Sequence, residues 1–223
     1  MPRWDGSWPV GERVARVSVD QRRSDLVDAA FRVMARTGIA KATTRAICAE
    51  AGVRQSVFHY SFNSKKELLQ ELVRVVVADM TDDARLLAEV HSEVGSSVRS
   101  VFRVIWSQVK AYPDRQLVSY ELTTYVMRDP NLSDLAKWQY QQYFKQAERV
   151  ATAIEDSAGI EWAVPMPTLS RMIATAVDAL VLGWLADRDD ASAEATLEEF
   201  ATYFASLAAP SPAKRRPSGE LSG

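Results

Sequence analysis

Residues 43–62, TTRAICAEAGVRQSVFHYSF, place two short apolar repeats on either side of one glycine, and this pattern decides the fold. Ile47 and Ala51 stand four apart, on one face of a helix, and Val53 and Val57 repeat that spacing after Gly52. Thr43 precedes the first repeat, where its hydroxyl can accept a backbone N–H that the helix leaves unpaired. Gly52 offers the positive φ that a tight turn between helices requires. With Val53, Val57 and Phe58 turned inward, Arg54, Gln55, Ser56, His59 and Tyr60 remain outside, and all five are hydrogen-bonding residues. A helix of about eight residues is roughly 12 Å long, close to the width of the B-DNA major groove. Arginine can donate two hydrogen bonds to guanine and glutamine can pair with adenine, while Ser56, His59 and Tyr60 can reach phosphates or either base type.

Moving toward the N-terminus, Leu26, Ala30, Val33 and Met34 share a helical face opposite Arg22, Arg23, Arg32 and Arg36. Gly38 follows the last periodic residue and predicts a left-handed C-terminal cap. Toward the C-terminus, Ser64-Lys65-Lys66-Glu67 matches the S/T-x-x-E capping box and predicts the start of a fourth helix. Its exposed amides and two lysines suit a phosphate; Lys65 is open between a phosphate contact and plain solvation.

The charge divides along the same line. Residues 1–66 hold 12 Lys and Arg against 6 Asp and Glu, whereas residues 67–223 hold 15 against 23. A basic module joined to an acidic body fits a phosphate-binding head, and the net charge of −2 hides this. Cys48 is the single cysteine, which excludes an internal disulfide, and His59 and His91 form no metal-ligand cluster. Glycine loops for phosphate, nucleophile elbows, H-E-x-x-H and paired Cys/His motifs are absent, so no catalytic residue, metal or cofactor is expected. The N-terminus lacks an apolar signal core, and the longest apolar run, residues 176–186, is short and contains Asp178. The expectation is a cytoplasmic protein without a membrane span.

Beyond these segments nearly every stretch repeats apolar residues at three- and four-residue intervals, which predicts an all-α chain. Breaks at Gly38, Gly52, Asn63, Gly95, Pro113, residues 129–130, 159–167 and 189–191 leave nine helices. The resulting division is a flexible arm over residues 1–18, a three-helix helix-turn-helix unit over 19–66, a six-helix domain over 67–208 and a disordered tail over 209–223. Arg13 and Arg16 in the arm could reach a minor groove, or the arm has no role.

The stretch ATTRAICAEAGVRQSVFHYSFNSKKELLQELV, residues 42–73, resembles the N-terminal domain of the TetR family of bacterial regulators. The resemblance covers about residues 21–73 and is carried by the capping Thr43, the Ile47 to Gly52 stretch, Val53, the aromatics ending at Phe62, and S-K-x-x-L-L at residues 64–69. Three positions depart from the family pattern. Cys48 stands in place of a usual alanine and keeps its small size, His59 replaces a tyrosine that touches phosphate and has Tyr60 beside it, and Asn63 replaces a proline. The DNA-contacting set is then Thr43, Thr44, Arg45, Arg54, Gln55, Ser56, His59, Tyr60 and Lys65.

The resemblance implies a dimeric repressor with a helical regulatory domain, a small-molecule pocket, a pseudo-palindromic double-stranded DNA operator, and last helices that form a four-helix bundle with a second copy. An activator would present the same DNA-binding surface; a helical binding module without DNA recognition and an enzyme are the other classes. Leu169, Ile173, Ala176, Leu180 and Trp184, with Leu197, Phe200 and Phe204, form the expected dimer faces; a buried helix of a monomer would show the same pattern. Trp106, Tyr120, Tyr125, Tyr140, Tyr143 and Phe144 are the aromatic pocket candidates. Glu121 shares a face with Val118, Leu122 and Tyr125, and a carboxylate turned to an apolar interior needs a partner, either a ligand or Arg99, Arg103 or Arg128.

Overall fold

The computed structural model describes residues 18–211. The conjecture about Arg13 and Arg16, and all of the C-terminal tail after Ser211, lie outside them. The described chain is almost wholly helical. In order it forms α1 (Val19–Thr37), a 3₁₀ turn (Ile39–Lys41), α2 (Thr44–Glu50), α3 (Gln55–Ser61), α4 (Lys65–Met80) and the short α5 (Asp83–Leu87). Then follow α6 (Val94–Ala111), α7 (Pro113–Arg128), α8 (Ser133–Ala158), β1 (Ile160–Trp162), α9 (Met166–Asp187), α10 (Asp190–Ser206) and β2 (Ala208–Pro210).

Side-chain caps start most of these helices at positions legible in the sequence. The hydroxyls of Ser18, Thr43 and Ser64 accept from the backbone N–H three residues on, at 3.1–3.2 Å. Pro113 opens α7, where its missing N–H has no consequence, and Gly159 closes α8 in the left-handed region. Two boundaries differ from expectation. Gly95 lies within the first turn of α6 because Glu93 accepts the N–H groups of Gly95 and Ser96 and so starts the helix before the glycine. The real interruption is residues 81–93, which hold α5 and no glycine or proline. A second finding is the antiparallel pairing of β1 with β2, which fastens the end of α10 beside the end of α8. Three residues per strand are too few to produce a readable alternation.

Buried apolar residues form two clusters. The first joins α1, α2, α3 and α4 around Leu26, Met34, Ile47, Phe58, Phe62 and Leu68, and it also takes in Val118, Leu122 and Val126 of α7. The second joins α6, α8, α9 and α10 around Phe102, Trp106, Val150, Leu169, Trp184 and Phe204. Helix α7 is therefore a shared wall, with one face in the head core.

Candidate nucleic-acid interface and internal cavity

The turn between α2 and α3 is set by Gly52 at φ 65°, while Val53 N–H returns to the carbonyl of Cys48 at 2.9 Å. A Cβ on Gly52 would meet no atom within 4 Å, so backbone conformation, not space, demands glycine. Gly38 also has positive φ, at 75°, but its ψ of 161° is extended and departs from the expected left-handed cap. Ile47, Cys48 and Phe58 are buried beneath this turn, and burial raises the Cys48 thiol pKa, as fits a packing residue.

Above that core, Thr43, Arg45, Arg54, Gln55, Ser56, His59 and Tyr60 are exposed and Thr44 is half-buried. Tyr60 is 77% exposed, while the His59 ring lies edge-on to Phe58 at 5.7 Å. Arg54 is the N-cap residue of α3 and makes no side-chain cap bond, which leaves its guanidinium available. Much of the other basic charge is used internally. Arg32 and Arg36 both pair with Glu50, and their hydrogen bonds hold the Glu50 carboxyl below its usual range. Arg23 pairs with Glu67 at 3.0 Å and lies over the Phe62 ring at 4.3 Å.

The entry to α4 departs from a simple capping box. Ser64 accepts from Glu67 N–H as expected, but the Glu67 carboxylate returns to Asn63, accepting its backbone N–H at 2.9 Å and its side-chain amide at 2.8 Å. A proline at 63 could supply neither bond. These bonds, led by the Asn63 backbone N–H and then Arg23, lower the Glu67 pKa. The Lys65 ammonium lies 3.3 Å from the Ile39 carbonyl and is partly desolvated, which lowers its pKa.

Ile39 is held from its other side as well. Its N–H donates to Glu121 of α7 at 3.1 Å. Glu121 therefore faces neither a ligand nor Arg99, Arg103 or Arg128. It is exposed, as is Tyr125, and does not turn to an apolar interior as expected; Val118 and Leu122 beside it enter the head core. Arg99 and Arg103 converge on Glu198 instead.

Between α6, α7, α8 and α9 lies a cavity of about 120 Å³ with mostly apolar walls. Tyr120, Tyr140 and Tyr143 line it, whereas Trp106, Glu121, Tyr125 and Phe144 do not. Trp106 packs edge-on against Trp184 at 5.2 Å, Tyr125 is exposed, and Phe144 lies under the Arg171 guanidinium at 4.3 Å. Asp178 lines the cavity and was not singled out from the sequence, because a lone acid in an apolar helix gives no sign of which way it points. The Tyr120 hydroxyl lies 3.1 Å from the Asp178 carbonyl and 3.4 Å from its carboxylate. Burial raises the Asp178 pKa, and hydrogen bonds from Tyr140 and Tyr120 oppose that shift. Burial likewise raises Tyr120 and Tyr140, and pushes Tyr143 up to about 12. Gln139 and Gln146, also unforeseen, are buried in the wall.

Comparison with known proteins agrees with this geometry. Residues 26–72 match the family described as bacterial regulatory proteins, tetR family. The HTH-type nicotine-responsive transcriptional repressor HdnoR of Paenarthrobacter nicotinovorans is 25% identical over 175 residues, which span 78% of this chain and 89% of that protein. Residues 26–72 are thus the stretch that this chain shares with the tetR family of bacterial regulatory proteins. The HTH-type transcriptional regulator BetI of Agrobacterium fabrum is 41% identical over 63 residues, 28% of this chain and 31% of its own. A TetR transcription regulator from Haloarcula marismortui shares the fold with a TM-score of 0.70 at 16% identity, over 85% of this chain and all of that one. These relatives are named as transcriptional regulators, none of them as an enzyme.

In this chain the last two helices do not present the face expected from sequence. Leu169, Trp184, Leu197 and Phe204 are buried within the chain's own core, and Leu169, Ile173 and Phe204 line the cavity. Ala176, Leu180 and Phe200 are half-buried. The wide apolar arc of α9 hid which side meets its own core. Outside stand Ala179, Leu182 and Gly183 of α9 and Tyr203 of α10, with Leu182 52% and Tyr203 50% exposed. Helix α9 is long and apolar enough to cross a membrane by length and composition, yet it packs against α8 and α10 and turns Asp178 into the cavity.

Proposed function

We propose that this chain is a cytoplasmic, homodimeric repressor that reads operator DNA with α3 and releases it when a small molecule fills the cavity. The carrying observation is α3 itself, a seven-residue helix with Gln55, Ser56, His59 and Tyr60 exposed, like its N-cap residue Arg54, over a closed apolar core. Two such heads would enter successive major grooves of a pseudo-palindrome, about 34–36 Å apart. Arg45 and Arg54 supply free positive charge, and Tyr60 the exposed hydroxyl beside His59. Lys65, tied to Ile39, acts more as a brace than as a phosphate clamp. HdnoR is a named repressor, which favours repression over activation here.

The exposed apolar strip of Leu182 and Tyr203 suits a second copy of the chain. Light scattering then gives twice the mass of one chain, and Leu182→Glu lowers it to one; a monomeric wild type overturns the dimer. The coupling route is α7, which gives Ser119, Tyr120 and Thr123 to the cavity and Glu121 to the head. A ligand that shifts α7 pulls on Ile39, and Glu121→Gln reduces the ligand's effect on DNA affinity, itself about 1–3 kcal/mol in allosteric proteins.

Binding to a random-sequence duplex at 50 and 200 mM salt tests the DNA reading. Affinity falls by about 10³-fold or more if six or so phosphates are contacted by the dimer. No binding at low salt, or binding indifferent to salt, defeats it. Capturing bound genomic DNA then supplies the operator.

A further inference from the structure

The geometry points to a small organic monocation as the occupant of the cavity, a protonated amine seated on Asp178 within reach of tyrosine rings. This deepens the effector reading above and rests on it. Among the described residues lining the cavity, Asp178 is the single charged group. The neighbouring cations are engaged elsewhere: Arg115 with Asp79, Lys110 with Glu194, Arg99 and Arg103 with Glu198, and Arg171 over Phe144. A half-buried carboxylate with phenol hydroxyls but no cation beside it among the described residues lacks a counter-charge. A ligand cation would complete the pair, and the faces of Tyr120, Tyr140 and Tyr143 would favour the same charge.

Size and a second polar group narrow the class. An apolar cavity of about 150 Å³ accepts benzene, so the present one, of about 120 Å³, limits the enclosed part of the occupant to about one ring, with its ammonium at the wall on Asp178. Gln146 in the cavity wall is 94% buried, and its Nε2 has no hydrogen-bond partner. Arg149, which can only donate, holds the Gln146 carbonyl oxygen at 2.7 Å and so fixes the amide with its NH₂ free. An unmet buried donor calls for an acceptor, which the ligand can carry on its ring.

Calorimetric titration of the full chain at neutral pH with benzylamine and with benzyl alcohol, equal in size and differing in charge, tests the inference. Benzylamine binds at least tenfold tighter, and Asp178→Asn reduces that preference to twofold or less while the variant keeps its helicity and melts cooperatively. Among the three aminomethylpyridines, which add an acceptor without adding bulk, one isomer exceeds benzylamine by several fold, and Gln146→Met removes that gain. Equal affinity for amine and alcohol, a preference that survives Asp178→Asn, or no binding of either probe overturns the inference. Anisotropy of duplex DNA in the same samples separates it from the effector reading. Amine bound through Asp178 without change in DNA affinity refutes effector control and leaves the amine site standing. Release of DNA by benzyl alcohol, with no preference for amine, does the reverse.

Discussion

The head and the body of this chain use polar side chains in opposite ways. In the head, Leu26, Phe58, Phe62 and Leu68 close an apolar core, and hydrogen-bonding residues of α3 stand outside on it. In the body, Asp178, Gln139, Gln146 and Tyr120 face inward around a cavity, while Leu182 and Tyr203 are exposed. A surface that reads a large external partner needs a rigid base beneath it. A site that encloses a small molecule needs polar groups inside, at the expense of stability. One helix, α7, belongs to both, with Val118 and Leu122 in the head core and Tyr120 and Thr123 at the cavity.

The contrast can be broken by comparing core truncations. Phe58→Ala should lower unfolding free energy by about 3–5 kcal/mol in urea titrations, because the site is filled and fully buried. Ile173→Ala, beside existing empty space and half-buried, should lower it by about 2 kcal/mol or less. Equal losses would mean that the body core is as tightly filled as the head.

Arg54→Ala sharpens the outward half. Once an operator is in hand, it should cost about 1–3 kcal/mol on that sequence and relax preference at one base position. A uniform loss across all sequences, with a smaller salt slope, would assign Arg54 to a phosphate instead.

Asp178→Asn addresses the inward half. Burial keeps its proton on longer in the folded than in the unfolded chain, so the ionised group opposes folding at pH values above its ordinary value of 3.8. Removing the charge should therefore stabilise the protein at pH 7, by about 1 kcal/mol, with the gain fading as the pH falls toward 3.8 and absent below it. A loss of stability at pH 7 would show that the carboxylate has a cation partner in the unliganded protein. An effect of similar size and opposite sign is expected at the surface: Thr43→Ala removes the cap of α2 and should lower stability by about 1 kcal/mol, read from the same titrations.

Local spacing made the head legible. The capping hydroxyls of Thr43 and Ser64, the positive φ of Gly52 and the inward set Ile47, Val57 and Phe58 all depend on neighbours within a turn or two of chain. The family resemblance lies over the same residues, 26–72. Asn63 shows the limit even there: its bonds to Glu67 follow from a departure whose partner could be named only once the loop was folded.

The body was legible as helices but not as a site. Tyr120, Tyr140 and Tyr143 reached the cavity, whereas Trp106, Tyr125 and Phe144, chosen on the same grounds, went to a core, to solvent and under an arginine. Leu169, Trp184, Leu197 and Phe204 packed inward when an outward face was expected. Glu121 found the backbone of Ile39, 82 residues away in sequence.

The sequence by itself determined the helices, their caps, the Gly52 turn and the outward polar set of α3, because each of these is settled by interactions a few residues apart. The tertiary structure alone decided that Asp178 and Gln146 face a cavity, that Glu121 and Lys65 clasp Ile39, and which side of α9 is left outside. Helical periodicity shows that a face is apolar; which neighbour covers it is decided by packing between segments far apart in the chain.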